Sequence, residues 1–281
     1  MNIIYLISII LGVSFQNVVK KPYTQKTSGK GLYFFCLLVS ISAMLFFIFT
    51  SANIKFSEDL LVYAVFFALS YITATVCNLY AVSCGPVSLT SLILSYSLII
   101  PTVYGFVFLK DPINPRMVFG LILLVISLFL INKKDKESNL TAKWLMFSML
   151  AFVGNGMSSV IQKMQQKAFD GAFKNEFMIL SLAIVTAAIA VFVAVNERQN
   201  IKTYAKAGWH LAILCGIANG IVNLFVMILS GIMPVSVMFP MISAGGIIVT
   251  YLVSRFFYNE ILTKAQFIGF IIGIASVIFL S

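Results

Sequence analysis

Gly12-Val-Ser-Phe-Gln-Asn-Val-Val-Lys-Lys21 recurs in altered form as Gly154-Asn-Gly-Met-Ser-Ser-Val-Ile-Gln-Lys163, with Gly, Val and the closing Lys at identical spacing. Outward from this pair the echo continues in one order through both halves of the chain. Asn78-Leu79-Tyr80 answers Asn223-Leu224-Phe225, and Pro86-Val87-Ser88 answers Pro234-Val235-Ser236. Phe108-Leu109-Lys110-Asp111, followed nine residues later by Gly120, answers Phe257-Tyr258-Asn259-Glu260, with Gly269 at the same distance. Each match is only a few identities, but their shared order divides the chain into two repeats, residues 1–140 and 141–281.

Both repeats are nearly continuous apolar sequence. Hydrophobic residues make up 60% of the chain and charged ones 10%, with a mean hydropathy of +1.02, whereas soluble domains run near half apolar and a quarter charged. Stretches of about 20 apolar residues suffice to cross a bilayer core. Such stretches fall near 2–19, 31–50, 59–82, 86–108 and 115–132, and again near 142–163, 176–195, 207–229, 232–256 and 263–280. Charges or Pro/Gly punctuation separate them. The two gaps without charge, at Ser83-Cys84-Gly85-Pro86 and Ser230-Gly231-Ile232-Met233-Pro234, each offer a Pro suited to a first helical turn. The expected fold is therefore an all-α integral membrane protein, with ten transmembrane helices arranged as two inverted five-helix repeats. The inversion follows from parity: with five spans per repeat, the second repeat enters the membrane upside down relative to the first. Inverted repeats are typical of secondary transporters, which bind substrate near the midplane and alternate access between two conformations.

Composition also sets aside other classes. The loops, the longest of them Lys20 to Lys30, Ile131 to Lys143 and Glu197 to Lys206, are too short for a soluble domain. The chain opens Met-Asn-Ile-Ile, without a basic leader or a small-residue cleavage site, so insertion is expected to use the first span itself. Cys36, Cys77, Cys84 and Cys215 lack the paired spacing of a metal or redox motif and read as small packing residues. A net charge of +10 spread over membrane-flanking loops fits anionic lipid head groups, not nucleic acid. A membrane enzyme would need clustered His, Asp, Glu or Cys, and the only histidine, His210, stands beside Trp209 at the mouth of a span. No catalytic set, no metal site and no cofactor are expected.

The segments Phe108-Leu-Lys-Asp-Pro-Ile-Asn-Pro-Arg-Met-Val-Phe-Gly120 and Phe257-Tyr-Asn-Glu-Ile-Leu-Thr-Lys-Ala-Gln-Phe-Ile-Gly269 each place an acid after the fourth span, then a polar turn and a Gly-bearing fifth span. This pattern resembles the EamA-type branch of the drug/metabolite transporter superfamily, and Ser230 to Pro240 resembles ninth-span entry segments of its bacterial members. The first copy departs from the pattern in carrying Asp111 for the usual Glu, with Pro112 after it. The resemblance implies a basket-like bundle in which helices 1, 3, 4, 6, 8 and 9 line a central cavity and helices 5 and 10 are peripheral. It leaves the substrate open, since relatives carry amino acids, sugars, nucleotide conjugates and amphipathic drugs.

Polar residues are costly inside a bilayer unless they face protein or a water-filled path, so their distribution marks a pathway. Span 1 offers Gln16 and Asn17, span 3 Tyr71, Thr75 and Asn78, and span 4 Ser95 and Tyr96. The second repeat offers Asn155, Ser159 and Gln162 in span 6, Asn219 and Asn223 in span 8, and Ser243 in span 9. These are the expected substrate-binding residues. Spans 2, 5, 7 and 10 are far poorer in such groups. Asn78 and Asn223 occupy equivalent places in the repeats; the other reading for each is an interhelical hydrogen bond or a backbone cap near a short turn. Gly154/Gly156, Gly216/Gly220 and Gly245/Gly246 read either as close helix contacts or as bending points. Asp111, Glu260, Lys21 and Lys163 are read as gating or structural residues. Lys20, Lys21 and Lys163 could meet a substrate carboxylate or phosphate, or could snorkel to the interface.

All nine carboxylates lie in loops or at span ends, so a proton-coupled exporter built on a buried Glu fits poorly. The expected function is secondary transport of a small polar or zwitterionic, amino-acid-like metabolite across the cytoplasmic membrane. A lipid-conjugate flippase, an amphipathic drug exporter of the same superfamily and a non-transporting receptor or scaffold stay open. Expected partners are a small-molecule substrate and membrane lipids, with no nucleic acid, and the protein is expected as a monomer or weak dimer. Cytoplasmic termini would leave six basic residues inside (Lys55, Lys110, Arg116, Lys163, Lys167 and Lys174) against thirteen outside. The positive-inside rule thus favours outside termini, whereas the resemblance implies cytoplasmic ones.

Overall fold

Proline and glycine decide where the helices of this chain begin and break. The structure, a computed structural model, describes residues 2–51, 54–84, 90, 93–94, 96–131, 141–258 and 264–280. The helices described are α1 (Asn2–Lys26), α2 (Leu32–Thr50), α3 (Glu58–Cys84), α4 (Ile99–Phe108), α5 (Pro115–Ile131), α6 (Ala142–Ala168), α7 (Lys174–Asn196), α8 (Ile201–Ile232), α9 (Val235–Tyr258) and α10 (Lys264–Leu280). A single 3-10 turn, Arg198–Asn200, precedes α8, and no strand occurs among the described residues. Among the described residues, six helices are long and apolar enough to cross a membrane: α1, α2, α3, α6, α7, and α8 with its 3-10 turn. Shorter apolar helices occupy Ile99–Phe108, Pro115–Ser127, Val235–Gly246 and Phe267–Ser276. Large apolar side chains such as Ile3, Phe49 and Val195 stand more than two-thirds exposed. Patches of that kind mark a lipid-facing or partner-facing surface. The architecture is all-α and suits a multi-pass membrane protein.

Two departures from the sequence reading have local causes. The stretch expected to run unbroken over 86–108 turns at Ser97 and Leu98, and α4 starts only at Ile99. Pro101 has no amide hydrogen, so the Ser97 carbonyl lacks its partner four residues on. The Ile100 amide donates to that carbonyl instead, at 3.0 Å, and the Ser97 hydroxyl donates to the Leu94 carbonyl at 2.6 Å. The stretch expected from 207 starts earlier, at Ile201, but breaks at Gly208, whose φ of 168° and ψ of 49° are not helical. A sharp bend at a glycine separates the first turns of α8 from the apolar remainder.

The chain packs as two compact units, Met1–Ile72 with Met164–Gly231 (unit 1) and Thr73–Lys163 with Ile232–Ser281 (unit 2). Each takes a stretch from both halves of the sequence. A repeat records duplication and a compact unit records contact, so the two divisions differ.

In unit 1, α2 lies along α7. Phe34, Ala68, Val185, Ile189 and Tyr204 form one buried cluster, and Tyr23, Phe35, Ala212 and Cys215 another. Glu197, just past α7, accepts hydrogen bonds from the amides of Phe34 at 2.7 Å and Tyr33 at 3.2 Å. It thereby satisfies amides at the start of α2 that have no partner within their own helix. Gly216 and Gly220 bring α8 against α2: a β-carbon at Gly216 would stand 2.5 Å from Ser42 Cβ and 2.6 Å from the Val39 carbonyl, and one at Gly220 would stand 2.5 Å from the Phe46 ring. Small residues at such crossings let membrane helices approach closely.

In unit 2, α5 packs along α10 in an antiparallel, reciprocal way. The Ser127 hydroxyl donates to the Gly269 carbonyl at 2.6 Å, and the Ser276 hydroxyl donates to the Gly120 carbonyl at 2.8 Å. Each serine stands seven residues after the glycine of its own helix, and those glycines are the pair matched in the sequence. The contact therefore maps onto itself when the helices are exchanged, as a local two-fold relation requires.

Candidate functional site

The middle of α1 and α8 carries amides among apolar neighbours, and unit 1 ties them together. Gln16 on α1 donates through Nε2 to the Gly12 carbonyl of its own helix at 3.3 Å, which leaves Oε1 to accept from Asn219 Nδ2 on α8 at 3.2 Å. Asn219 Oδ1 accepts in turn from Asn223 Nδ2 at 3.0 Å, and the same nitrogen donates to the Asn219 carbonyl at 2.9 Å. Tyr71 on α3 belongs to the same unit and packs against its Phe34, Ala68 and Val185 cluster. The Gln16, Asn219 and Asn223 side chains are each half-buried, not sealed. Such a chain aligns its dipoles, and in surroundings of low dielectric each bond strengthens the next.

Unit 1 also holds two free thiols, Cys36 on α2, partly buried, and Cys215 on α8, buried. Cys36 and Tyr71 pack against the same buried cluster, and Val19 packs against the cluster that holds Cys215. Lys20 is half-buried, and α1 continues past it to Lys26. Outside the apolar segments, burial pushes the Glu197 carboxyl above its ordinary range, while the amides of Phe34, Tyr33 and Leu32 pull it back.

Unit 2 uses several of the other expected residues for its own assembly. Asn155 Nδ2 on α6 donates to Ser97 Oγ at 2.6 Å, beside Gly156, where a β-carbon would stand 2.5 Å from Ile100. Ser159 donates to the Asn155 carbonyl of its own helix at 3.5 Å. Gln162 is buried. Tyr96 donates its hydroxyl to the Val125 carbonyl of α5 at 3.2 Å. Tyr96 and Ser243 also line a cavity of about 370 Å³ whose other walls, including Ile99, Val103, Phe106 and Ile122, are overwhelmingly apolar. Asp111 Oδ2 accepts from the amide of Ser236 at 3.2 Å and from its hydroxyl at 2.7 Å, at the start of α9. Gly105 makes room for that carboxylate, since a β-carbon there would stand 2.6 Å from it.

Unit 1 therefore brings together Gln16, Asn219 and Asn223, and also contains Tyr71. Thr75 and Asn78, half-buried on α3, belong to unit 2 with Tyr96, Asn155, Ser159, Gln162, Lys163 and Ser243. Ser95 and Glu260 lie outside the described residues, as do the side chains of Asn17 and Lys21. Among the described residues, no group of three or more His, Cys, Asp or Glu side chains could hold a metal ion.

Sequence reasoning passed over several of these contacts. Ser127 and Ser276 sit in spans read as poor in polar groups, and the signal for them was present as a serine seven residues after the matched glycine in both repeats.

No family model matches the chain, and no curated protein matches it. Its three-dimensional likeness is plain: a solved structure described only as "Crystal structure of protein" aligns with a TM-score of 0.81 over 99% of this chain and 95% of its own, at 11% identity. At that identity the likeness establishes the fold alone.

Proposed function

We propose that this protein is a secondary transporter of a small polar or zwitterionic metabolite, working by alternating access between inverted five-helix repeats in the manner of the EamA-type drug/metabolite transporters it resembles. The observation that carries this reading is the Gln16–Asn219–Asn223 relay, a polar seam in mid-helix between segments apolar enough to cross a membrane. One bond joins α1 to α8, a second lies within α8, and the amides that make them remain half-buried, not sealed. Groups of both donor and acceptor character at such depth suit a neutral or zwitterionic ligand. The reciprocal Ser127–Gly269 and Ser276–Gly120 bonds support the inverted repeat, since an inversion relates two helices as an exchange of partners. The reading assigns the protein no catalytic chemistry and no cofactor, and places it in the cytoplasmic membrane.

A second reading draws on the apolar cavity of unit 2. Its volume of about 370 Å³ falls within the range of small-ligand pockets, and its lining suits an acyl or prenyl tail. That favours an amphipathic drug or a lipid conjugate as substrate.

Ligand-induced thermal stabilisation separates the two, because a ligand that binds only the folded state raises its stability by mass action. Purified protein is expected to be stabilised by members of an amino acid, nucleoside and sugar panel. Stabilisation by a polyprenyl lipid and by none of those metabolites would replace the first reading with the second.

A further inference from the structure

We propose that the apolar cavity of unit 2 is a site for one acyl chain of a bilayer phospholipid, whose phosphate sits at Lys110 and Arg116. Such a site goes beyond the transporter reading and needs only that the protein lies in a membrane; it holds a resident lipid, where the second reading has cargo.

α4 and α5 each pack against α9, but among the described residues they scarcely touch each other. The cavity of about 370 Å³ is the gap between them. Ile99, Val103 and Phe106 of α4 face it, as do Val118, Ile122 and Val125 of α5, at the same spacing of four and then three residues. That spacing draws one stripe along each helix, so the gap is a slot and not a pit. It runs about 12 Å along α5, from Val118 to Ile126. Ile99, Val103, Ile122 and Val125 are exposed, whereas Thr102, Leu124 and Pro240 are buried. The slot therefore opens to the surface and closes on α9.

Water does not suit this space. A buried water needs about two to four polar partners, and the Tyr96 and Thr102 hydroxyls already donate to the carbonyls of Val125 at 3.2 Å and Leu98 at 2.7 Å. Beyond them the lining side chains offer only the Ser243 hydroxyl. Left unfilled, the walls would forfeit their dispersion contacts. An apolar cavity of about 150 Å³ takes up benzene, so this one, more than twice as large, suits a flexible hydrocarbon chain. Charge marks the head-group end. α4 ends at Phe108 and α5 begins at Pro115, so Lys110 and Arg116, both exposed, flank the end of the slot at Phe106 and Val118. The Asp111 carboxylate between them is engaged by Ser236. Arg116 spends one donor on the Ile278 carbonyl at 3.0 Å, and a guanidinium has further donors for a phosphate. A phospholipid brings both parts in that order, phosphate at the membrane surface and tail directed inward.

The test is photo-crosslinking of the full-length protein in vesicles of phosphatidylethanolamine and phosphatidylglycerol, doped with phosphatidylglycerol that carries a diazirine in mid-chain, followed by peptide mass spectrometry. Thr102, Leu124 and Pro240 decide the outcome, because a lipid that merely coats the protein reaches exposed Phe119 and Phe129 but not these. Label is expected on the buried residues at no less than the level on Phe119. Leu121→Trp, which fills the slot, is expected to lower the buried label about fivefold or more and to leave Phe119 and Phe129 within about twofold; Val103→Trp serves in its place if it misfolds. Lys110→Gln with Arg116→Gln is expected to lower the buried label about threefold or more. Label confined to exposed residues, or a buried label that Leu121→Trp leaves unchanged, would overturn the site, and one that the Lys110 and Arg116 pair leaves unchanged would overturn the place of the phosphate. A diazirine polyprenyl phosphate that labels the buried residues when the phospholipid does not would overturn the site in favour of the second reading. None of these results bears on the amide relay of unit 1, so the transporter reading stands or falls separately.

Discussion

Asp111 offers a perturbation whose cost follows from geometry. Its Oδ2 accepts both the amide and the hydroxyl of Ser236, at 3.2 and 2.7 Å, in the first turn of α9. The Ser236 amide is one of the helix-start donors that no carbonyl of α9 reaches. Asp111→Ala leaves that amide without its partner, and losing a cap costs about 0.5–2 kcal/mol while stranding a buried donor costs about 1–3 kcal/mol. Taking about 1–3 kcal/mol for the whole, and about 2–4 °C per kcal/mol for a chain of this size, the melting temperature is expected to fall by about 2–12 °C. Asp111→Asn keeps an oxygen that can accept both bonds and loses only the charge facing the helix dipole, about 0.3–1 kcal/mol. The assay is thermal unfolding of both variants in the same lipid or detergent. If Asp111→Ala melted with the parent, or Asp111→Asn melted below Asp111→Ala, the carboxylate would not be the cap of α9.

Other outcomes follow from the same geometry. Gly216→Ala places a β-carbon 2.5 Å from Ser42 and 2.6 Å from the backbone carbonyl of Val39, so α2 or α8 has to shift. A loss of about 1–3 kcal/mol by thermal unfolding is expected, and a neutral result would mean that the two helices are not in close contact. Ser127→Ala and Ser276→Ala are expected to cost about 0.5–1.5 kcal/mol each, equally and additively, because their bonds lie about 10 Å apart along the helices. A strongly unequal pair would argue against the two-fold relation. Glu197 titrates in the folded protein above the ordinary glutamate value of 4.5, because burial disfavours its charge. Its protonated form therefore contributes stability that is fully present below about pH 4.5 and is lost as pH rises through the folded value. Melting curves between pH 4 and 8 are expected to show wild type losing stability relative to Glu197→Gln as pH rises; a flat or opposite difference would refute the assignment.

The helical class and the positions of most helices were legible because lipid imposes one simple demand, a long apolar run with its backbone bonds closed internally. The break before α4 was less so. Pro101 was visible in the sequence, but whether a proline kinks a membrane helix or ends it depends on where the freed Ser97 carbonyl finds a donor. The relay of Gln16, Asn219 and Asn223 was half legible. Depth within a span singled out the residues, whereas the register that sets Gln16 opposite Asn219 is a property of how α1 meets α8. Asn155 shows the converse: equally deep, it bonds Ser97 at 2.6 Å. A sequence cannot tell a ligand-facing amide from a helix-facing one, since both satisfy the same rule against stranded polar groups. Glu197 looked like an ordinary loop charge and Asp111 like a gating or structural acid of unknown partner, because a cap supplied from another helix leaves no local pattern.

The central claim, that unit 1 holds a transport site organised around Asn219, is tested most directly by counterflow in proteoliposomes. Radiolabelled metabolite is added outside vesicles preloaded with the same unlabelled compound, at matched protein content for wild type and Asn219→Ala. Saturable uptake accelerated by the internal load, and reduced at least tenfold in Asn219→Ala, is the predicted result. Uptake that neither saturates nor responds to the internal load, or that Asn219→Ala leaves unchanged, would contradict it.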